Sequence, residues 1–308
     1  MKRYITVDGG TTNTRIYLIE DGRIVANAHF PIGARNYGDD KKVLFRLLYS
    51  EIEKICLHNG LKSEDIIAVI ASGMITSDNG LCPLKHIVAP AGIKELHSGL
   101  FKAEFSLYGI PTYFIPGVKM CGERLEEIDI MRGEETEIVG IGAKGEGIVF
   151  VLPGSHSKHI YLDGEGRIER FSTMMTGELL AALIESTILH ETVGFTDDIP
   201  EEAVVDGYEY ARARGINEAV FKARILSTVL GASMKTSYGF LLGAVLSSEI
   251  NSLLYSGASL AILGGKPSLV KPMRLLLERG GMEVKELDDE PAMYASAIGA
   301  VRIFEYGD

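Results

Sequence analysis

The sequence predicts an α/β protein of two linked halves, and three observations carry that prediction. A strand, turn, strand, turn, strand pattern occurs twice, near residue 4 and again near residue 148. Between the two copies Gly140, Gly142, Gly145 and Gly147 fall within eight residues, the best linker signal in the chain. Apolar residues at helical spacing dominate 177–256, so helices follow the second copy. At 308 residues the chain is about two domains' worth, and the boundary is expected at 143/144, within the glycine cluster. Residue identity between the copies is negligible. The recurrence is one of topology, and because short strands joined by glycines are common, the pattern alone also admits a chance recurrence.

Each element has its own signal. Residues 4–7 form a β-favouring run that stops at Asp8-Gly9-Gly10-Thr11-Thr12-Asn13, and 14–19 resume strand-like alternation. Asp21-Gly22 makes a turn, and 23–30 read as a third strand, giving an antiparallel meander. Val43, Leu44, Leu47, Leu48, Ile52, Ile55 and Cys56 mark a helix over 41–59 that ends at Asn59-Gly60. Strands are expected at 66–71 and 113–118, and residues 131–136 introduce a helix through Ile138, Val139 and Ile141. The second half opens with strands at 147–152, 159–162 and 167–171. Helices are expected at 179–189, 218–234 and 237–254, then a strand into Gly264-Gly265, a helix at 268–279, a strand at 283–287 and a closing helix at 291–304.

Charge and cysteine usage narrow the function. Lys and Arg number 31 against 42 Asp and Glu, a net charge of −11, which argues against a general binder of nucleic acid or anionic lipid. An anionic small molecule would need local Arg, Lys, backbone N–H groups or a metal. Cys56, Cys82 and Cys121 are scattered without CxxC spacing, an odd count that excludes a complete disulfide framework and points to a reducing, cytoplasmic setting. Too few apolar residues follow Met1-Lys2-Arg3 for a signal-peptide core, and no apolar run approaches the ~18 residues of a membrane span. His29, His58, His86, His97 and His190 have no metal-ligand spacing.

Three segments carry chemistry. Asp8-Gly9-Gly10-Thr11-Thr12-Asn13 puts a carboxylate at a strand end, two glycines that let backbone N–H groups approach a phosphate, and hydroxyl donors; Asp8 can hold a hydrated Mg²⁺. The same residues also make an ordinary decorated β-turn. Ile262-Leu263-Gly264-Gly265 repeats the theme before a helix whose N-terminus favours anions, with the P-loop and dinucleotide fingerprints both missing from this turn. Ser155, His156 and Lys158 sit in the first turn of the second half; without a GxSxG elbow around Ser155, a phosphate-contacting hairpin fits better than a nucleophile. Arg132 stands beside Glu134 and Glu135 at a helix start. The carboxylates either complement the helix dipole or supply a general base, and two adjacent helical residues cannot both face one site.

Together the DGGTTN turn, the second meander and the late Gly-Gly strand resemble the actin-like ATPase and sugar kinase superfamily. MRGEET (131–136), PGSHSKH (153–159), FSTMMTGEL (171–179), YGFLLGAVLSSEI (238–250) and ASAIGA (295–300) resemble, in that order, the 2-dehydro-3-deoxygalactonokinase family along nearly the whole chain. The resemblance implies two actin-like (ribonuclease H-like) ATPase domains, residues 1–143 and 144–308, each a mixed five-stranded sheet with helices, flanking a nucleotide cleft. The first would bind the sugar acid and phosphates, the second the nucleotide. It implies ATP and Mg²⁺ as cofactors and transfer of the γ-phosphoryl group to the 6-hydroxyl of 2-dehydro-3-deoxy-D-galactonate. Asp8 would hold Mg²⁺; Gly9, Gly10, Thr11, Thr12 and Asn13 the β- and γ-phosphates; Ser155, His156 and Lys158 a second phosphate turn; Gly264 and Gly265 the adenosine. Glu134 is the first choice for the base and Glu135 the second. Arg35, in a loop resembling a family loop, and Arg132 are the candidates for the substrate carboxylate, with Thr176 in the block that closes the site. The partners expected are the sugar acid and ATP, with a homodimer as candidate assembly and no nucleic acid or membrane. A kinase for another sugar acid or sugar, and a non-catalytic ATP-binding actin-like protein, remain open alternatives.

Overall fold

The computed structural model describes residues 1–11, 13–33, 41–142, 144–265 and 267–307. Its first sheet grows from the predicted meander. Strands β1 (Arg3–Gly9), β2 (Thr14–Glu20) and β3 (Arg23–Phe30) are antiparallel neighbours. The β2–β3 turn has positive φ at both Asp21 and Gly22, the two-residue conformation that Asp-Gly sequences favour. Helix α1 (Lys41–His58) buries Leu44, Leu48, Ile52, Ile55 and Cys56 on one stripe and leads to β4 (Ala68–Gly73), which pairs parallel with β1. After β5 (Ile87–Val88) and the short helix α2 (Ile93–Ser98), the hairpin β6 (Phe101–Leu107) and β7 (Ile110–Phe114) completes the order β3-β2-β1-β4-β7-β6.

This sheet has six strands where five were expected. The additional one is β6, whose residues alternate along an edge strand, and its hairpin turns at Tyr108-Gly109, both with positive φ. The strand expected at 113–118 is divided: β7 ends at Phe114, and β8 (Val118–Met120) joins β5 and β9 (Asp129–Met131) in a separate three-stranded sheet. Helix α3 (Glu134–Ile141) follows and stops at Gly142 in the left-handed conformation, so part of the glycine cluster is a helix cap.

The second sheet repeats the first five-strand order. Strands β10 (Ile148–Leu152), β11 (Ser157–Leu162) and β12 (Ile168–Met174) form its meander. Four helices come next: α4 (Thr176–Ser186), α5 (Glu201–Arg214), α6 (Ile216–Thr228) and α7 (Met234–Leu254). Of these α5 was not anticipated, because its EEAVVDGYEYARAR sequence hides a buried stripe of Ala203, Val204, Tyr208 and Ala211 among charges. Strand β13 (Leu260–Leu263), helix α8 (Pro267–Arg279) and strand β14 (Glu283–Glu286) close the order β12-β11-β10-β13-β14, with β13 parallel to both neighbours. Helix α7 is buried over most of its circumference and forms the centre of this core.

Contacts divide the chain into two units: residues 1–145, 162–170 and 288–308 in one, and 146–161 with 171–287 in the other. The last helix, α9 (Asp289–Phe304), therefore groups with the first unit, although a linear cut at 143/144 leaves it in the second half. The reason is its packing on α3. Among the described residues, no helix is long and apolar enough to cross a membrane.

Candidate active site

In the first unit the candidate phosphate turn leaves β1 where β4 runs parallel to it, with Gly9 opposite Gly73. These are carboxyl ends of strands, where open α/β sheets bind ligands. Gly73 has φ of +83°, and a Cβ there would stand 2.6 Å from the Gly9 carbonyl oxygen and 3.5 Å from Asp8 Oδ1. Gly133, immediately before α3, packs on Gly73 in turn, so that a Cβ at 133 would meet the Gly73 Cα at 3.4 Å. Three glycines thus bring the ends of β1 and β4 against the N-terminus of α3. The turn itself closes by Gly10 N–H donating to the Asn13 carbonyl at 2.8 Å.

Asp8 lies opposite Arg15 across the β1–β2 ladder, accepts from Arg15 Nη1 at 3.2 Å, and has Ser296 Oγ at 3.5 Å. Its side chain is only 16% exposed. Burial pushes its carboxyl above the ordinary range, Arg15 opposes that, and the charge of Glu134 adds to it. Glu134, the first residue of α3, is half-buried and accepts from the Arg132 N–H at 3.1 Å. Glu135 is fully buried; its two oxygens accept from the Gly133 N–H at 2.8 and 2.9 Å, and burial, reinforced by the Glu134 charge, pushes it up to about 8. Glu137, one turn on, is pushed up to about 8 by burial and by the charges of Asp8 and Glu134. The two adjacent carboxylates have therefore separated: Glu134 keeps access to solvent, and Glu135 is turned inward. Arg132 donates from Nη1 to Thr76 Oγ1 at 2.7 Å and from Nη2 to the Leu84 carbonyl at 2.6 Å, so its guanidinium anchors the loop after β4.

In the second unit the corresponding turn follows β10, and the Gly264-Gly265 turn leaves the adjacent parallel strand β13, with Val151 opposite Leu263 and Gly264 N–H donating to the Val151 carbonyl at 3.0 Å. Both loops leave the carboxyl ends of their strands. Ser155 is exposed, and His156 Nε2 lies 2.5 Å from Glu178 Oε2. Lys158 is buried on β11, paired with Leu152. The N-terminus of α4 braces the turn: Gly177 N–H donates to the Gly154 carbonyl at 3.1 Å and Glu178 N–H to the Ser155 carbonyl at 3.0 Å. A Cβ at 177 would stand 2.3 Å from the Gly154 oxygen, so only glycine permits this approach. At the start of α8 an open pocket of about 430 Å³ is lined by Asp197, Ile199, Val204, Ser268, Lys271 and Leu275.

Residues 8–300 match the profile of the 2-keto-3-deoxy-galactonokinase family. The chain belongs to that family. It is 28% identical over 313 residues to a protein of Rhizobium meliloti named a probable 2-dehydro-3-deoxygalactonokinase, covering 97% of this chain and 96% of that one. It is 25% identical over 257 residues to the 2-dehydro-3-deoxygalactonokinase of Escherichia coli, covering 82% and 80%. A crystal structure from Sinorhizobium meliloti named for the same activity superposes with a TM-score of 0.82 at 25% identity, over 98% of this chain and 99% of the other. The xylulose kinase of Lactobacillus acidophilus, at 12% identity and a TM-score of 0.51 over 99% and 89%, shares the fold. The two sheets are thus those of the actin-like sugar kinases, and this member of the 2-keto-3-deoxy-galactonokinase family is a carbohydrate kinase.

In this kinase Asp8, Gly9, Gly10, Thr11 and Asn13 gather with Glu134 at the carboxyl ends of β1 and β4, and in the other unit Ser155 and His156 share the carboxyl ends of β10 and β13 with Gly264 and Gly265. Thr12 and Arg35 lie outside the described residues. Two expectations meet a different geometry. The Thr176 hydroxyl is buried and donates to Glu249, and the Glu135 carboxylate is held by Gly133; neither group is presented to a ligand, because each satisfies a buried partner. Glu249, Glu137 and Ser296 join these sites without having been among the expected site residues. A signal for the first was present: Glu249 is a lone carboxylate in an otherwise uncharged apolar stretch, and such a group needs buried partners.

Proposed function

We propose that this kinase transfers the γ-phosphoryl group of ATP to the 6-hydroxyl of 2-dehydro-3-deoxy-D-galactonate, giving the 6-phosphate, as a step of galactonate catabolism. The observation that carries the reading is Glu134: a solvent-reached carboxylate, ahead of a buried one, at a helix start packed on the Asp8 turn, in a chain matching the family over 8–300. Phosphoryl transfer needs mainly positioning and charge neutralisation, with one carboxylate to orient and deprotonate the attacking hydroxyl. Glu134 fills that role. Asp8 fits Mg²⁺, a hard cation that prefers oxygen ligands, because its carboxylate stands at the end of β1 beside the Gly9-Gly10 turn, partly open to solvent and held on one oxygen by Arg15 at 3.2 Å. When bound, Mg²⁺ neutralises phosphate charge.

The remaining assignments follow the loops. Gly9, Gly10, Thr11, Thr12 and Asn13 offer N–H and hydroxyl donors to the β- and γ-phosphates, and Ser155, His156 and Lys158 contact phosphate from the second unit. Gly264 and Gly265 back the adenosine, and the pocket at the start of α8 accommodates it. For the substrate carboxylate Arg35 stands first, since two Arg132 nitrogens already bond Thr76 and Leu84. A panel of 2-keto-3-deoxy sugar acids with Mg-ATP, read by coupled ADP release, tests the reading. Preferred turnover of 2-dehydro-3-deoxy-D-galactonate is expected. Preference for another acid reassigns the substrate, and ATP binding without turnover of any of them sinks the catalytic reading.

A further inference from the structure

Helix α7 runs through the core of the second unit, and Glu249 is the one carboxylate in its sequence. Its side chain is 2% exposed and meets three donors: the Ser157 hydroxyl, the Thr176 hydroxyl, and His159 Nε2 at 2.9 Å. Burial pushes this carboxyl up, but the His159 bond and charge and the two hydroxyls outweigh it and hold the group below the usual carboxylate range. Glu249 is therefore a carboxylate with donors on both oxygens inside an apolar core.

The donors come from the two elements that frame the 153–158 turn. Ser157 and His159 are two apart on β11 and share one face of the strand, which puts Lys158 on the other. Thr176 is the first residue of α4, and the next two N–H groups of that helix are the ones that bond the Gly154 and Ser155 carbonyls. One carboxylate thus ties the strand leaving the turn to the helix bracing it. We infer that Glu249 is a positioning residue for this turn: by drawing Ser157, His159 and Thr176 to a single anion, it fixes the shape in which the turn meets the phosphates of ATP. The inference rests on the proposal that this turn contacts ATP.

The test is a steady-state comparison on the full-length kinase, together with direct ATP binding by calorimetry and thermal melts. Glu249→Gln keeps the shape but sets an amide against donors, and Ser157→Ala removes a single donor should the first variant fail to fold. Each should raise KM for ATP and weaken ATP binding about tenfold, with KM for the sugar acid unchanged. A lower melting temperature with unaltered ATP affinity in the folded protein would show Glu249 to be a core-stabilising group and overturn the inference. The double variant Ser155→Gly, His156→Ala, which removes two of the side chains proposed to contact phosphate, separates the two readings. If it leaves ATP affinity intact, the turn does not contact ATP and the underlying proposal fails; if it weakens ATP while Glu249→Gln does not, the positioning inference alone fails.

Discussion

Gly299 of α9 lies against the carbonyl oxygen of Thr136 in α3, so closely that a Cβ at 299 would stand 1.9 Å from it. Gly140 does the same in reverse, at 1.8 Å from the Ala295 carbonyl. The two helices cross backbone to backbone. One carries Glu134 and the other Ser296, which reaches Asp8. Gly299→Ala must push α3 and α9 apart, and overpacking of this kind costs about 1–3 kcal/mol. The expected outcome is a melting temperature lower by several degrees and a reduced kcat, checked by thermal melts and steady-state kinetics on one preparation.

The opposite orientations of Glu134 and Glu135 predict opposite phenotypes. Glu134→Gln removes the proposed base and should lower kcat by roughly 10²–10⁴ with the melting temperature nearly unchanged. Glu135→Gln should leave kcat within an order of magnitude, since its carboxylate bonds Gly133 and is fully buried. Equal losses of kcat in both variants would contradict the assignment.

Glu135 also predicts a pH dependence. Its carboxyl is pushed from an ordinary 4.5 up to about 8, chiefly by burial. Between those values the folded protein holds a proton that the unfolded chain has released, so stability falls as pH rises toward about 8. Glu137, raised likewise, contributes the same slope. Melting temperatures measured from pH 6 to 9 should decline in the parent and decline less in Glu135→Gln; an identical decline would count against the buried, protonated carboxyl.

Thiol accessibility follows from the three cysteines. Cys121 is exposed and Cys56 is buried, with burial pushing the Cys56 thiol up to about 11. Ellman's reagent should find one fast thiol in the native protein, abolished by Cys121→Ser, with the half-buried Cys82, its thiol pushed up by burial, reacting more slowly and Cys56 only on unfolding. A rapid reaction at Cys56 would show that α1 does not pack as described.

Much of the architecture was legible because its signals are local. The two meanders, the Asp21-Gly22 turn, the α1 stripe and the Gly142 stop all depend on residues within a few positions of one another. The β6 edge was missed although 101–107 alternates, since an edge strand's half-polar face gives a weak signal. Helix α5 was missed because charges interrupt its buried stripe.

The sequence by itself determined the duplicated strand pattern, the glycine-bearing turns after Asp8 and Pro153, and the family to which their motifs point. Tertiary structure alone decided that the last helix joins the first unit, that Glu134 rather than Glu135 reaches solvent, and that Thr176 answers to Glu249 73 residues away. The division has a physical cause. Strand and helix periods are written in neighbouring residues, whereas the direction in which a polar side chain turns is set by which buried partner, from anywhere in the chain, leaves it satisfied.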